Sequence, residues 1–264
     1  MLTRTEFIKR FGKRAIFGMV HLEPLPGAPL FAGSIDAVIA AAIADANALA
    51  TCDGIVFENF GDRPFRKHAG AETIAAMTRV IAEVKPQLPF GVNVLRNDAH
   101  SALAIAAATG AAFIRINVHT GTMATDQGLI EGEAAETLRF RASLAPDVLI
   151  FADYLVKHAT PVGEHSARDL RDRGLADAII ISGAETGLPA DARRLAEVRK
   201  QIDAPILIGS GITADNADDY PDADGAIVGT SLKSGGRVDS KRVARVVKAF
   251  RRRGGRSRAG KSAR

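Results

Sequence analysis

Cysteine is all but missing from this chain: Cys52 stands alone, which excludes an internal disulfide and fits a reducing compartment. No apolar stretch approaches the ~20 residues of a membrane span. Residues 1–14 are basic but lack the continuous apolar core of an export signal, so a cytoplasmic protein without a transmembrane segment is expected. Within 15–250 no Gly-x-x-x-x-Gly-Lys-Ser/Thr loop occurs, which argues against a P-loop nucleotide site in that region. The formal charge of +5 is misleading as a sign of nucleic-acid binding. Seven of the 35 basic residues lie in 251–264, where there is no acid, so the other 28 face 30 acidic side chains. That segment is rich in Gly, Ser and Arg and reads as a disordered tail. No aromatic platform accompanies its arginines, and no nucleic-acid partner is expected.

What is present is a repeated alternation of short apolar runs and helical spacings. Strands are expected at Ala15–Val20, Gly54–Glu58, Phe90–Leu95, Ala112–Asn117, Val148–Asp153, Ala178–Ser182, Pro205–Gly209 and Gly225–Gly229. Their starts fall roughly 20 to 40 residues apart, a spacing that demands crossover connections and a parallel sheet. Eight such units favour closure, so the expected fold is α/β, a single (β/α)8 TIM barrel over 15–250 between the basic segment and the tail. Ser34 and Asp98 read as helix N-caps, and Gly110 and Gly174 as helix-ending positions. Connections from helix to strand are short, whereas 22–33, 59–70 and 118–130 after strands one, two and four are long. Long loops gathered at the carboxyl ends of the strands mark the expected site.

The last two strands each end in glycine and a hydroxyl residue, Gly209-Ser210-Gly211 and Gly229-Thr230. Backbone amides in two such turns can cradle a phosphate, so these five residues are the expected phosphate site. Polar residues of one parity collect at the same rim: His21 and Glu23, Glu58, Asn93, Arg115 and Asn117, Asp153 and Lys157, Ser182 and Thr186. Barrel interiors are normally apolar, so six strands delivering polar groups to one end point to a pocket. Glu58 and Asp153 are the candidate acid and base, with pKa values pushed toward neutrality if enclosed. His21 and Lys157 join them as candidate catalytic groups. Glu23, Asn93, Arg115, Asn117, Ser182 and Thr186 are candidate substrate contacts, with Arg115 and Lys157 suited to a carboxylate, enolate or second phosphate. Lys157 as a Schiff-base amine is a further option. No cofactor is required by this chemistry; a divalent metal on His21, Glu58 and Asp153 is left open, although no compact ligand motif is present. His100 and His165 are placed in helices at the surface, and His158 near the rim.

The runs Gly18-Met19-Val20-His21-Leu22-Glu23-Pro24-Leu25-Pro26-Gly27, Glu58-Asn59-Phe60-Gly61-Asp62-Arg63-Pro64-Phe65 and Gly91-Val92-Asn93-Val94-Leu95-Arg96-Asn97-Asp98 resemble the BtpA family. So do Phe113 to Asn117, Thr125-Asp126-Gln127-Gly128, Lys157-His158-Ala159, Gly209-Ser210-Gly211 and Gly229-Thr230-Ser231-Leu232-Lys233. The resemblance spans about Ala15 to Phe250 and implies a barrel of the ribulose-phosphate-binding type. It carries two functional expectations. One is an isomerase, epimerase or lyase acting on a small phosphorylated sugar or nucleoside-derived phosphate, in keeping with an SgcQ-like branch found beside sugar-phosphate genes. The other is a non-catalytic assembly factor of the photosystem I biogenesis type. An oligomer of identical chains is left open.

Overall fold

The structure is a computed structural model in which residues 1–183 and 187–252 are described. The elements run α1 Arg4–Phe11, β1 Ala15–His21, α2 Ile35–Ala48, β2 Gly54–Glu58, α3 Ala71–Val84, β3 Phe90–Asn93, α4 Ala99–Thr109 and β4 Phe113–Ile116. After these come β5 Thr122–Thr125, β6 Gly128–Glu131, α5 Ala134–Leu144, β7 Leu149–Tyr154, β8 Ala159–Val162, α6 Ala167–Asp172, β9 Ala178–Ile181 and α7 Ala192–Gln201. Last are β10 Ile206–Ile208, β11 Gly225–Val228, β12 Lys233–Ser234, β13 Arg237–Val238 and α8 Ser240–Arg251. Eight strands close into a barrel in the order β1-β11-β10-β9-β7-β4-β3-β2, every pair parallel. All eight expected strands are present, and the chain is a TIM barrel.

Departures from the expected outline have local causes. The crossover from β10 to β11 holds only a 3-10 turn, Ala217–Asp219, in place of an α-helix. The long segment after β4 is a hairpin, β5 and β6, which β8 joins to make a three-stranded antiparallel sheet. Val118, Met123, Ile130 and Val156 are buried beneath it. His165 precedes α6 instead of lying in it, with its ring partly buried. Arg251, assigned to the tail, is the last residue of α8 and pairs with Asp53 at 2.7 Å; 253–264 lie outside the described residues. Ser34 and Asp98 do cap α2 and α4, accepting from Ala37 N and Ser101 N, and Gly110 ends α4 at φ 79°.

The period of two along each strand divides the barrel interior into an apolar lower half and a polar upper half. Phe17 and Met19 precede His21, Val56 precedes Glu58, Phe113 precedes Arg115, Phe151 precedes Asp153, and Ile180 precedes Ser182. Gly91 sits at the matching level of β3; a Cβ there would lie 2.2 Å from the Phe113 ring. The missing side chain makes room for Phe113 to stack on Phe151, with centroids 4.3 Å apart.

The basic segment 1–14 forms the floor of the barrel. Thr3 and Glu6 make a capping box for α1, and Phe7 and Phe11 enter the aromatic cluster of Phe17, Phe113 and Phe151. The aspartates before three strands hold this end together. Asp53 accepts from Ile16 N, Asp177 from Ile150 N and Leu2 N, and Asp224 from Ile206 N and the Arg4 guanidinium. Each satisfies a strand-end amide that the ladder leaves over. Phe7→Ala should cost about 3–5 kcal/mol of stability, read as a lower urea midpoint with the slope unchanged.

Candidate functional site

At the carboxyl end of the strands, Met19, His21, Glu58, Arg115 and Lys157 face Gly187, Gly209, Ser210, Gly211, Gly229 and Thr230 across a cavity of about 20 Å³. His21 ends β1 and Glu58 ends β2, paired in register, so their side chains leave the sheet side by side. His21 Nε2 lies 3.6 Å from Glu58 Oε1, and Asn93 Nδ2 donates to Glu58 Oε2 at 2.6 Å.

Below them is a buried ion pair. Arg115 Nε and Nη2 donate to the two oxygens of Asp153 at 2.9 and 3.0 Å, while Asn117 Nδ2 and Ser182 Oγ each donate to it at 3.0 Å. Four hydrogen bonds saturate the Asp153 carboxylate. It does not line the cavity, so the expectation that it moves protons gives way to a structural role, the anchoring of Arg115. Asn117 and Ser182 likewise serve Asp153, and Asn93 serves Glu58, in place of the substrate contacts expected of them. Glu23 is half exposed on the rim, paired with Arg237 at 3.1 Å, and is also outside the cavity. Thr186 lies outside the described residues.

Charge at the site departs from expectation in the same direction. Burial alone would raise the Glu58 pKa, but His21, Arg115, Lys157 and the Asn93 amide outweigh it and hold the carboxyl below its ordinary range. Glu58 is therefore an ionised base, and the value near neutrality expected for it is not found. Burial pushes His21 from 6.5 down to about 4, with Lys233, Lys157 and Arg115 acting the same way and Glu58 opposing. The imidazole is neutral at pH 7, so its approach to Glu58 is not an ion pair. Arg115 is also opposed by burial, yet the Asp153 carboxylate and Glu58 hold its proton more firmly than usual.

Lys157 has its pKa lowered by burial and by Arg115 and Arg96, with Glu58 and Asp153 opposing. Its carbonyl accepts from Arg96 Nη2 at 2.8 Å. Leu155 and His158 on either side have φ of 57° and 56°, left-handed conformations that cost such residues about 1–3 kcal/mol each. Strain of this kind persists where the surroundings over-determine it, here the packing of Val156 under the three-stranded sheet.

The proposed anion cradle is built less uniformly than its sequence suggests. The Gly209 amide donates to Ile181 O at 2.8 Å and is spent on the barrel. Among the described residues, no backbone acceptor takes the amides of Ser210, Gly211, Thr230 or Ser231. The Ser210 hydroxyl donates to Leu188 O at 2.5 Å and accepts from Gly183 N at 3.1 Å. Gly211, at φ 68°, must be glycine because a Cβ would meet Leu188 O at 2.3 Å.

The metal option does not fit. His21 Nδ1 is occupied by the Lys233 ammonium at 2.8 Å and Asp153 is turned to Arg115. Among the described residues, no three His, Cys, Asp or Glu side chains are grouped to hold an ion. No described helix is long and apolar enough to cross a membrane.

Two site residues escaped the sequence reading. Arg96 is 6% exposed, and burial and Arg115 lower its pKa while Asp153, Asp126 and Glu58 oppose. Lys233 follows the last barrel strand; its signal was the Gly235-Gly236 pair, which marks a two-residue hairpin.

Two measurements check this description. Arg115→Met alone should cost about 3–5 kcal/mol by stranding a buried carboxylate, and the double variant Arg115→Met/Asp153→Leu distinctly less, compared by urea unfolding. Between pH 6.5 and about 4 the unfolded chain takes up a proton on His21 that the folded chain refuses, so stability falls as pH falls through that window. His21→Gln should flatten that limb when urea midpoints are compared at pH 7 and pH 5.

The BtpA family model matches residues 12–252. The photosystem I biogenesis protein BtpA of Synechocystis is 47% identical over 235 residues, covering 85% of this chain and 82% of that one. Among solved structures, (S)-3-O-geranylgeranylglyceryl phosphate synthase from Thermoplasma acidophilum, in complex with sn-glycerol-1-phosphate, aligns at TM-score 0.58 and 15% identity, covering 95% and 98% of the two chains. Thiamine phosphate pyrophosphorylase from Pyrococcus furiosus aligns at TM-score 0.55 and 11% identity, covering 90% and 95%. At those identities the structures establish shared architecture, whereas the family match and the Synechocystis relative extend over nearly the whole barrel: the chain belongs to the BtpA family.

Proposed function

We propose that this protein is an enzyme that binds a small phosphorylated substrate at the carboxyl end of its barrel and moves a proton on it, as an isomerase, epimerase or lyase. The observation that carries this reading is that Ser210, Gly211 and Thr230, whose amides meet no backbone acceptor among the described residues, line the cavity shared by Glu58, His21 and Lys157. Amides in such turns offer an anion fixed partial charges at no cost in reorganisation. Charge supports the same conclusion. Arg115 and Lys157 line the cavity with Glu58 as the carboxylate among its described lining residues, positive charge suited to a phosphate ester. The two barrel neighbours, a synthase in complex with sn-glycerol-1-phosphate and a thiamine phosphate pyrophosphorylase, add support from analogy.

In this reading Glu58 takes a proton from carbon, and Lys157 stabilises the oxyanion that develops. Asp153 keeps Arg115 aimed beneath them. The cavity of about 20 Å³ is the size for one water, so a substrate must displace side chains at its mouth to enter. The Synechocystis relative, a photosystem I biogenesis protein, favours a second reading, an assembly factor for photosystem I. That reading leaves the charged barrel mouth without a purpose.

Inorganic phosphate should raise the melting temperature, by about 2.7 kcal/mol of added stability at a hundredfold excess over Kd. Thr230→Glu, which sets a carboxylate against the cradle, should abolish the shift. A wild-type protein indifferent to phosphate would remove the reading. Once a phosphorylated substrate is in hand, Glu58→Gln should lower kcat by about 10²–10⁴.

A further inference from the structure

Lys233 reaches the site from outside the barrel. It opens β12, which pairs with β13 across the turn Gly235-Gly236, at φ 56° and 83°. This small hairpin is fastened to α2: Val238 N donates to Asp45 Oδ1 at 3.0 Å and the Arg237 guanidinium pairs with the same oxygen at 3.2 Å. Asp239 N donates to Leu232 O at 2.9 Å and closes the base. The result places the Lys233 ammonium 2.8 Å from His21 Nδ1.

An ammonium has N–H bonds and no lone pair, so at that distance it donates and Nδ1 accepts. A neutral imidazole whose Nδ1 is bare carries its proton on Nε2. The ring is stacked on Phe60, 4.4 Å away and 19° from parallel, and a half-turn within that plane would put Cδ2 in place of Nδ1 and lose the Lys233 contact. On its other side Gly229 brings backbone close, a Cβ there lying 3.1 Å from His21 Cε1. The groups facing the ring are Glu58 from β2, Arg115 from β4, Lys157 after β7 and Lys233 from the hairpin.

We propose that Lys233 is a positioning residue that locks His21 as the Nε2–H tautomer, so that a neutral N–H donor stands 3.6 Å from the Glu58 carboxylate. This rests on the acid–base reading above and narrows it to substrates with a carbonyl next to the carbon that loses its proton. Glu58 Oε1 takes the proton, the C–H electron pair moves into the enolate, and the carbonyl oxygen accepts from His21 Nε2–H and the Lys157 ammonium. No further reactant is needed. A neutral imidazole suits this task because it shares its proton with the oxygen without neutralising the adjacent base.

The lock is visible without turnover. Long-range proton–nitrogen correlation spectra of the 15N-labelled full chain at pH 7, with His21 assigned from His21→Gln, should show a pyridine-type Nδ1 and a pyrrole-type Nε2. Lys233→Arg should keep that pattern. Lys233→Met should move protonation toward Nδ1 and raise the pH at which the ring titrates above about 4. A pyrrole-type Nδ1 in the wild type, or an unchanged pattern in Lys233→Met, overturns the proposal. Phosphate melting shifts on the same samples separate the two claims. A lost phosphate response with the tautomer intact rejects the cradle alone, and the converse rejects the lock alone.

Discussion

The site rests on the buried pair of Arg115 and Asp153. Removing two charges from water costs several kcal/mol each, and their attraction offsets this only with good geometry and every remaining lone pair satisfied. Here both conditions are met: the guanidinium is bidentate, and Asn117 and Ser182 fill the outer positions of the carboxylate. Strands β4, β7 and β9 are thereby tied at one level of the barrel. Once Asp153 is committed, Glu58 is the carboxylate that shares the cavity with His21 and Lys157, and the Arg115 cation beneath helps keep it ionised. One pairing therefore fixes both the shape of the pocket floor and the protonation of the group above it.

The apolar lower half has a complementary role. With Phe7 and Phe11 inserted among Phe17, Phe113 and Phe151, water is excluded from the floor and the polar layer can open only upward. A low dielectric below and basic side chains above direct the field of the site toward one mouth. The charged pocket and the apolar floor of this barrel thus occupy different ends of the same strands, a division that the two-residue period produces without further instruction.

Much of this was legible in the sequence because it depends on period and on glycine. Alternation put His21, Glu58, Arg115 and Asp153 on one parity, and the glycine turns after the last two strands do line the same cavity. What periodicity cannot convey is which polar group meets which. Asp153 and Glu58 read alike from their strand ends, yet one is saturated by four donors and the other accepts a single side-chain amide. Glu23 shares the parity of His21 but lies past the end of β1, where the chain has left the barrel and turned to Arg237. Lys233 and the aspartates before β2, β9 and β11 were missed for a related reason: each acts on residues 18 to 220 positions away in the chain, a separation no local pattern records. The segment 1–14 looked like a basic extension because its two buried phenylalanines have partners only in the closed barrel.

That floor helix bears on how the molecule is made. Its anchors are Asp177 and Asp224, 175 and 220 residues further along the chain. On a ribosome, this helix is made well before the strands that follow Asp177 and Asp224, so its polar anchors come late. Phe7 and Phe11 gain their full ring cluster only once Phe151 has been synthesised, and the later strands then complete the cylinder around them. Joining segments so distant in the chain couples the floor to barrel closure and leaves partial chains with unburied aromatic side chains, the kind of surface that chaperones grasp.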